Sequence, residues 1–259
     1  MTNSTNPRTA LVTGATGTLG IACTLALAES GHDVAIHHRT DSGAAEALRA
    51  QVRSRGQRGH VVTMDFAVSD GSELDARCLD VAEEVRGHLG PIDTLVLNAS
   101  SQELTPFARL DTATWDRVYA GTLRLATSLL GVVAPRMDRR RHPVVVIVGS
   151  IEGYRPATDH GPYAVFKAAQ HHLVAAAAHE LGPRGVRVVG VAPGLIDRDG
   201  LERDWPEGHT RWCAASALRR PVTAPEVASV VTFLAGPGAS GVTGVTVPVD
   251  AGWSASPGW

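Results

Sequence analysis

The chain has 259 residues, 44% of them hydrophobic and 19% charged, with a net charge of −2 at neutral pH. This composition suits a globular protein with a full core, and the lack of any basic block argues against nucleic acid as a partner. The longest apolar runs, VVVIV (144–148) and LVAAAA (173–178), are far short of a membrane span, and the polar start MTNSTNPRTA lacks the apolar core of a signal peptide.

Short apolar runs alternate with helical patterns along the chain. RTALVTG (8–14) predicts a buried strand, and GTLGIACTLALAESG (17–31) a helix stopped by glycine. DVAIHH (33–38) and SGAAEALRAQVRSRG (42–56) give a second strand and helix. HVVTMDF (60–66) and SELDARCLDVAEEVRGHLG (72–90) give a third pair. IDTLVLNAS (92–100) is a fourth strand, followed by a longer helix over 112–135. A strand at 143–149, a helix at 162–181 and a strand at 186–191 follow. After an irregular stretch (194–212) come a helix at 224–235 and a last strand near 244–249. Such alternation imposes parallel pairing through right-handed crossovers. The expected fold is therefore α/β, a doubly wound parallel sheet (Rossmann-like) of about seven strands with helices on both faces. No linker or repeat interrupts the rhythm, so a single domain is expected. Cys23, Cys78 and Cys213 are few, odd in number and scattered, which fits reduced thiols and a cytoplasmic location.

TGATGTLG (13–20) lies between the first strand and the first helix. Gly14, Gly17 and Gly20 suit a tight turn, close approach of a pyrophosphate and close helix–sheet packing, with Thr16, Thr18 and Leu19 completing the loop. The helix start adds free N–H groups for phosphate. An NAD-binding fold places an acid at the end of the second strand to hold the ribose hydroxyls. Here that strand ends IHHRT, and no carboxylate occurs before Asp41. Arg39, with Thr40 beside it, is placed to pair with a 2′-phosphate, which favours NADP(H); the other reading of Arg39 is a solvated loop charge.

Ser150 ends a buried strand, the place where open α/β sheets bind ligands. Tyr163 and Lys167 are four apart on the next helix and share a face. The chemistry open to the three is proton transfer coupled to hydride transfer: a ketone that takes a hydride becomes an alkoxide and needs a proton. A nearby ammonium is expected to lower the Tyr163 pKa from its usual value of about 10. Ser150 would hold the oxygen where negative charge develops. YxxxK alone also reads as an amphipathic helix with a snorkelling lysine. The combination with the glycine loop and the strand-end serine carries the catalytic reading. His37/His38 and His171/His172 are adjacent pairs that point apart, with no third ligand, so no metal site is expected.

Together these residues resemble the short-chain dehydrogenase/reductase family in its single-domain branch. The likeness runs over essentially the whole chain: TGATGTLG, MDF, LVLNAS, GS at 149–150, YAVFK, VRVVGVAPGLI and TGVTVPVDAGW. The resemblance implies that Ser150, Tyr163 and Lys167 act as argued, with Lys167 also holding the nicotinamide ribose. It places Asp65 and Phe66 near the adenine, Asn98 and Ala99 along the cofactor, and Pro193, Gly194 and Ile196 over the nicotinamide. It also implies a homo-oligomer, dimer or tetramer, built through the long helices and the last strand.

The departures are specific. Thr18 stands where the branch has its second glycine, and LNASS replaces NNAG. Thr122 stands where an Asn supports a proton-relay water beside the lysine, and Asp197 where a Thr contacts the carboxamide. Residues 195–216 fall where the family builds a substrate lid, and they carry Trp205, His209 and Trp212. With Ser100, Tyr154 and Arg155, Trp205 and Trp212 are the expected substrate contacts. Clustered aromatics either suit a flat, polycyclic ligand or pin the flap to the core. The lid and the departures are similar to ketoreductases of aromatic polyketide tailoring. Three other readings stand beside this one. A β-ketoacyl-carrier reductase would use Arg139, Arg140 and Arg141 as a basic surface by the cleft mouth. A pteridine reductase is suggested by NASS and HHRT. A nucleotide-binding regulatory protein without turnover is favoured by Thr122.

Overall fold

The computed structural model describes residues 7–65 and 71–255. β1 (Arg8–Val12), β2 (His32–His38), β3 (Gly59–Thr63), β4 (Ile92–Leu97), β5 (Val144–Val148), β6 (Arg187–Pro193) and β7 (Thr246–Val249) form one parallel sheet in the order β3-β2-β1-β4-β5-β6-β7. The helices between them are α1 (Thr18–Glu29), α2 (Ser42–Ser54), α3 (Gly71–Leu89), α4 (Thr112–Tyr119), α5 (Leu125–Val133), α6 (Gly161–Leu181), α7 (Leu201–Asp204), α8 (Pro206–Ala215) and α9 (Ala224–Ala235). This is the expected single Rossmann-like domain. Strand order reverses between β1 and β4, so the crevice for a ligand lies outside the carboxyl ends of these strands.

The sequence dictates the layers. β5 reads VVVIV and is buried throughout, as a strand covered on both faces must be. Along it, Val144, Val146 and Val148 face a core shared with α1, α2 and α9, and Val145 and Ile147 face one shared with α3, α5 and α6. The stretch Thr112–Arg136 is long and apolar enough to cross a membrane by length and composition. Its apolar residues Leu125, Ala126, Leu129, Leu130 and Val133 are instead buried in the second of these cores.

Four expectations from the sequence are corrected. β1 stops at Val12, because Thr13 and Gly14 already turn away from the strand, Gly14 with φ +61°. The long helix is two α-helices joined by a π-turn, Ala120–Arg124, with Thr122 at its middle. The stretch 194–212 contains the whole of α7 and most of α8. Finally, Arg139–Arg141 immediately precede β5, so they sit at the amino edge of the sheet, opposite the end that carries Ser150. There Arg141 grips the buried Asp93 in a fork (2.6 and 2.8 Å), and Arg140 pairs with Asp138. These arginines do not stand at the cleft mouth.

Candidate active site

The glycine loop is held from two sides. Asn98 Nδ2 donates to the carbonyls of Thr13 (3.0 Å) and Gly14 (3.1 Å), and Thr13 Oγ1 accepts from the N–H groups of Asn98 (2.9 Å) and Ala99 (3.0 Å). From β2, His37 Nδ1 accepts from Gly14 N (3.1 Å), so Nε2 carries the proton and donates to Met64 O (3.0 Å). Burial pushes His37 down to about 4, which keeps it neutral. A Cβ on Gly14 would come within 3.0 Å of Ala99 Cα, and one on Gly20 would fall on the Gly14 carbonyl oxygen. Glycine is therefore what lets α1 begin this close to the loop. Gly17 starts α1 with no side-chain cap, so the first-turn N–H groups remain open.

A cleft of about 1280 Å³ opens beside this loop. Gly14, Thr16, Gly17, Thr18 and Leu19 line one side; Arg39, Thr40 and Asp65 line the β2–β3 side; Asn98, Ala99 and Ser100 line the β4 side. The bare glycine cradle, the uncapped helix start and the Arg39 cation fit a dinucleotide phosphate. Phe66, the other expected adenine neighbour, lies outside the described residues.

Ser150 is buried at the carboxyl end of β5, and its Oγ accepts from Glu152 N (3.2 Å). Ser150 acts on the Tyr163 hydroxyl, favouring its ionised form. Lys167 Nζ stands 5.4 Å from the Tyr163 ring centroid. Lys167 is the only lysine in the sequence and is 2% exposed. Its Nζ donates to Val148 O (2.8 Å) and to Gln170 Oε1 (3.1 Å). Thr122 Oγ1 accepts from Ser101 N (3.1 Å), donates to Ser101 O (3.1 Å) and lies 3.2 Å from Ser100 Oγ. The Thr122 carbonyl accepts from Gln170 Nε2 (2.9 Å).

The electrostatics correct the expectation for the tyrosine. Burial pushes Tyr163 up to about 12, against the hydrogen bond from Ser150 and with the help of the Glu152 charge. Lys167 is pushed down to about 7 by burial, which Glu152 partly offsets. Desolvation is the largest influence on both groups, so near neutrality the phenol keeps its proton.

The remaining expected residues lie around the carboxyl ends of β5 to β7. Pro193 ends β6; Gly194 N donates to Val249 O (2.9 Å), and Ile196 bridges to Val222. Trp212, on α8, stacks parallel on Trp253 with centroids 5.2 Å apart, and the Arg155 guanidinium lies 5.8 Å over the Trp253 ring. Tyr154 packs against His171, the rings tilted by 34° with centroids 4.2 Å apart. Trp205 packs on Gly208 and stays 47% exposed. Among the described residues, no group of three or more His, Cys, Asp or Glu is arranged to hold a metal ion.

The family model described as "Enoyl-(Acyl carrier protein) reductase" matches residues 14–254. A solved short-chain dehydrogenase/reductase from Serratia marcescens is 28% identical, superposes with a TM-score of 0.88, and is matched over 96% of this chain and 98% of its own. The chain belongs to the short-chain dehydrogenase/reductase family. Among other structural relatives of this short-chain dehydrogenase/reductase are a blue fluorescent protein from a metagenomic library in complex with NADPH (27% identical, TM-score 0.87) and the promiscuous reductase LugOII, which catalyses keto-reduction at C1 during lugdunomycin biosynthesis (27% identical, TM-score 0.85). Each is matched over 96% of this chain and 98% of its own. The 3-oxoacyl-[acyl-carrier-protein] reductase FabG of Staphylococcus epidermidis is 29% identical over 245 residues, 95% of this chain and 98% of that protein.

Sequence reasoning missed Gln170, Glu152, His160, His171 and Trp253 at this site. Glu152 Oε2 pairs with His160 Nδ1 at 2.7 Å, just after Ser150 and just before Tyr163. One signal was available: a glutamine three residues after the lysine, on the same face of the helix. One outcome tests the nucleotide cradle directly. Gly20→Ala drives a methyl into the backbone of Gly14 and Ala15, and it is expected to weaken dinucleotide binding by at least about tenfold in a fluorescence titration, about 1.4 kcal/mol.

Proposed function

We propose that the protein is an NADPH-dependent carbonyl reductase with Tyr163 as the proton donor. The observation that carries this reading is the convergence of the buried Ser150 and Lys167 with the half-buried Tyr163 beyond the carboxyl end of β5. When bound, the nicotinamide supplies the hydride. The Ser150 and Tyr163 hydroxyls hold the substrate oxygen, and Tyr163 gives it a proton as negative charge develops there. Burial disfavours the phenolate left behind, so the step depends on the Lys167 charge to stabilise it. The intact Ser150, Tyr163 and Lys167 speak against a protein that has lost turnover.

NADPH is supported by Arg39 and by the lack of any carboxylate between the end of β2 and Asp41. The NADPH complex of a structural relative supports it further. A flat, aromatic or polycyclic ketone is supported by the Trp212–Trp253 stack with Arg155 over it, and by the keto-reduction named for LugOII. Residues 195–216 then act as the lid over it. A β-ketoacyl-carrier substrate is the second reading and draws on FabG; the Arg139–Arg141 run gives it no support. Assembly into a dimer or tetramer through α4, α5 and α6 is part of the proposal, as is a cytoplasmic location, which suits three free cysteines.

Three outcomes are expected. Arg39→Ala lowers NADPH affinity by roughly tenfold to a hundredfold and leaves NADH affinity unchanged, measured by fluorescence titration with both. Tyr163→Phe keeps NADPH binding but loses about 10² to 10⁴ in turnover on whichever ketone, quinone, β-ketoacyl or enoyl thioester, or dihydropterin the wild type reduces, followed by NADPH oxidation. Lys167 is charged below about 7 and neutral above it, so kcat/KM for reduction is highest on the acid side and falls as pH rises through about 7.

A further inference from the structure

We propose that Gln170 is the positioning residue for Lys167: its carboxamide bridges the Thr122 carbonyl to the lysine amine and fixes where that amine stands beneath Tyr163. The inference rests on the carbonyl-reductase reading and deepens it. Gln170 is 1% exposed, so its amide must find its partners inside the protein. Both ends of its amide are engaged, with Nε2 donating to Thr122 O at 2.9 Å and Oε1 accepting from Lys167 Nζ at 3.1 Å. A flipped amide would set donor against donor and acceptor against acceptor, so the network fixes its orientation.

The bridge has a consequence for proton supply. Val148 O and Gln170 Oε1 take two of the three ammonium protons, which leaves one for the Tyr163 and nucleotide side. A carboxamide accepts and donates hydrogen bonds but does not readily pass a proton on, as a water or hydroxyl does. On the Thr122 side, Lys167 is therefore anchored rather than wired to solvent.

The groups that act on the lysine are few. Glu152 on the turn after β5 raises it, and Tyr163 and His171 share its helix face. His171 is pushed down to about 4 by burial and by the Lys167 charge. From the π-turn, Arg124 lies over the Tyr119 ring at 5.9 Å, and on α4 Arg117 is held by Glu103.

The test compares Gln170→Met, of similar length but without the amide acceptor, with Gln170→Glu, which offers a carboxylate. Because Lys167 is the only lysine, ¹⁵N-lysine labelling gives one side-chain amine signal, and its titration in the ligand-free protein needs no assignment. The methionine variant is expected to move that titration down by about one pH unit and the glutamate variant to move it up by a similar amount. The fall of kcat/KM with pH should move the same way in each. If the methionine variant does not fold, the upward shift in the glutamate variant alone carries the sign. A titration unmoved, or moved in the same direction by both, overturns the assignment. Opposite shifts in a protein that reduces no carbonyl uphold the role of Gln170 and defeat the reductase reading instead.

Discussion

The burial of a single ammonium group organises this site. Lys167 is 2% exposed, and a charge taken from water is tolerated only where its protons find acceptors. Those acceptors come from separate elements: Val148 at the end of β5, Gln170 on α6 and, through Gln170, the Thr122 carbonyl in the π-turn between α4 and α5. Meeting them sets where these elements stand relative to one another. The fall of the lysine toward neutral pH is the residual cost of that burial. It also makes the group sensitive near the pH at which it would work.

The nucleotide side of the cleft is organised by a second, separate set of bonds. Asn98 and Thr13 tie the glycine loop to β4, and His37 ties it to β2 and the end of β3. The two sets meet at Ser100 and Ser101, which line the cleft and bond to Thr122. A parallel doubly wound sheet makes this meeting possible, because every strand delivers its last residue to the same edge. Ser150, Asn98 and the glycine loop are all strand-end residues of neighbouring strands in the order β1, β4, β5.

Much of this was legible in the sequence because it rests on short-range patterns. Strand–helix alternation gave the sheet, three glycines gave the loop, and the spacing of Tyr163 and Lys167 gave a shared helix face. What was not legible depends on contacts between distant residues. Gly121 and Thr122 lower the helix propensity locally, but a weak spot does not distinguish a π-turn from an ordinary helical turn; the π-turn shows only through the bonds it makes to Ser101 and Gln170. The stack of Trp212 on Trp253 joins α8 to the segment after β7, some forty residues on, where Asp250 fixes the turn by accepting from Gly252 N and Ser254 N. Proximity of Lys167 suggested an acidic tyrosine, but burial, which the sequence does not display, reverses that sign.

In the function proposed above, Ser150, Tyr163 and Lys167 complete a hydride transfer to a carbonyl carbon. The most direct measurement uses NADPH deuterated at the transferred position of the nicotinamide, with a polycyclic ketone, and reads the alcohol product by mass spectrometry and NMR. Hydride delivery to the carbonyl carbon leaves one deuterium on the carbinol carbon and a solvent-derived proton on the oxygen. NADPH consumed with no deuterium at that carbon would contradict it.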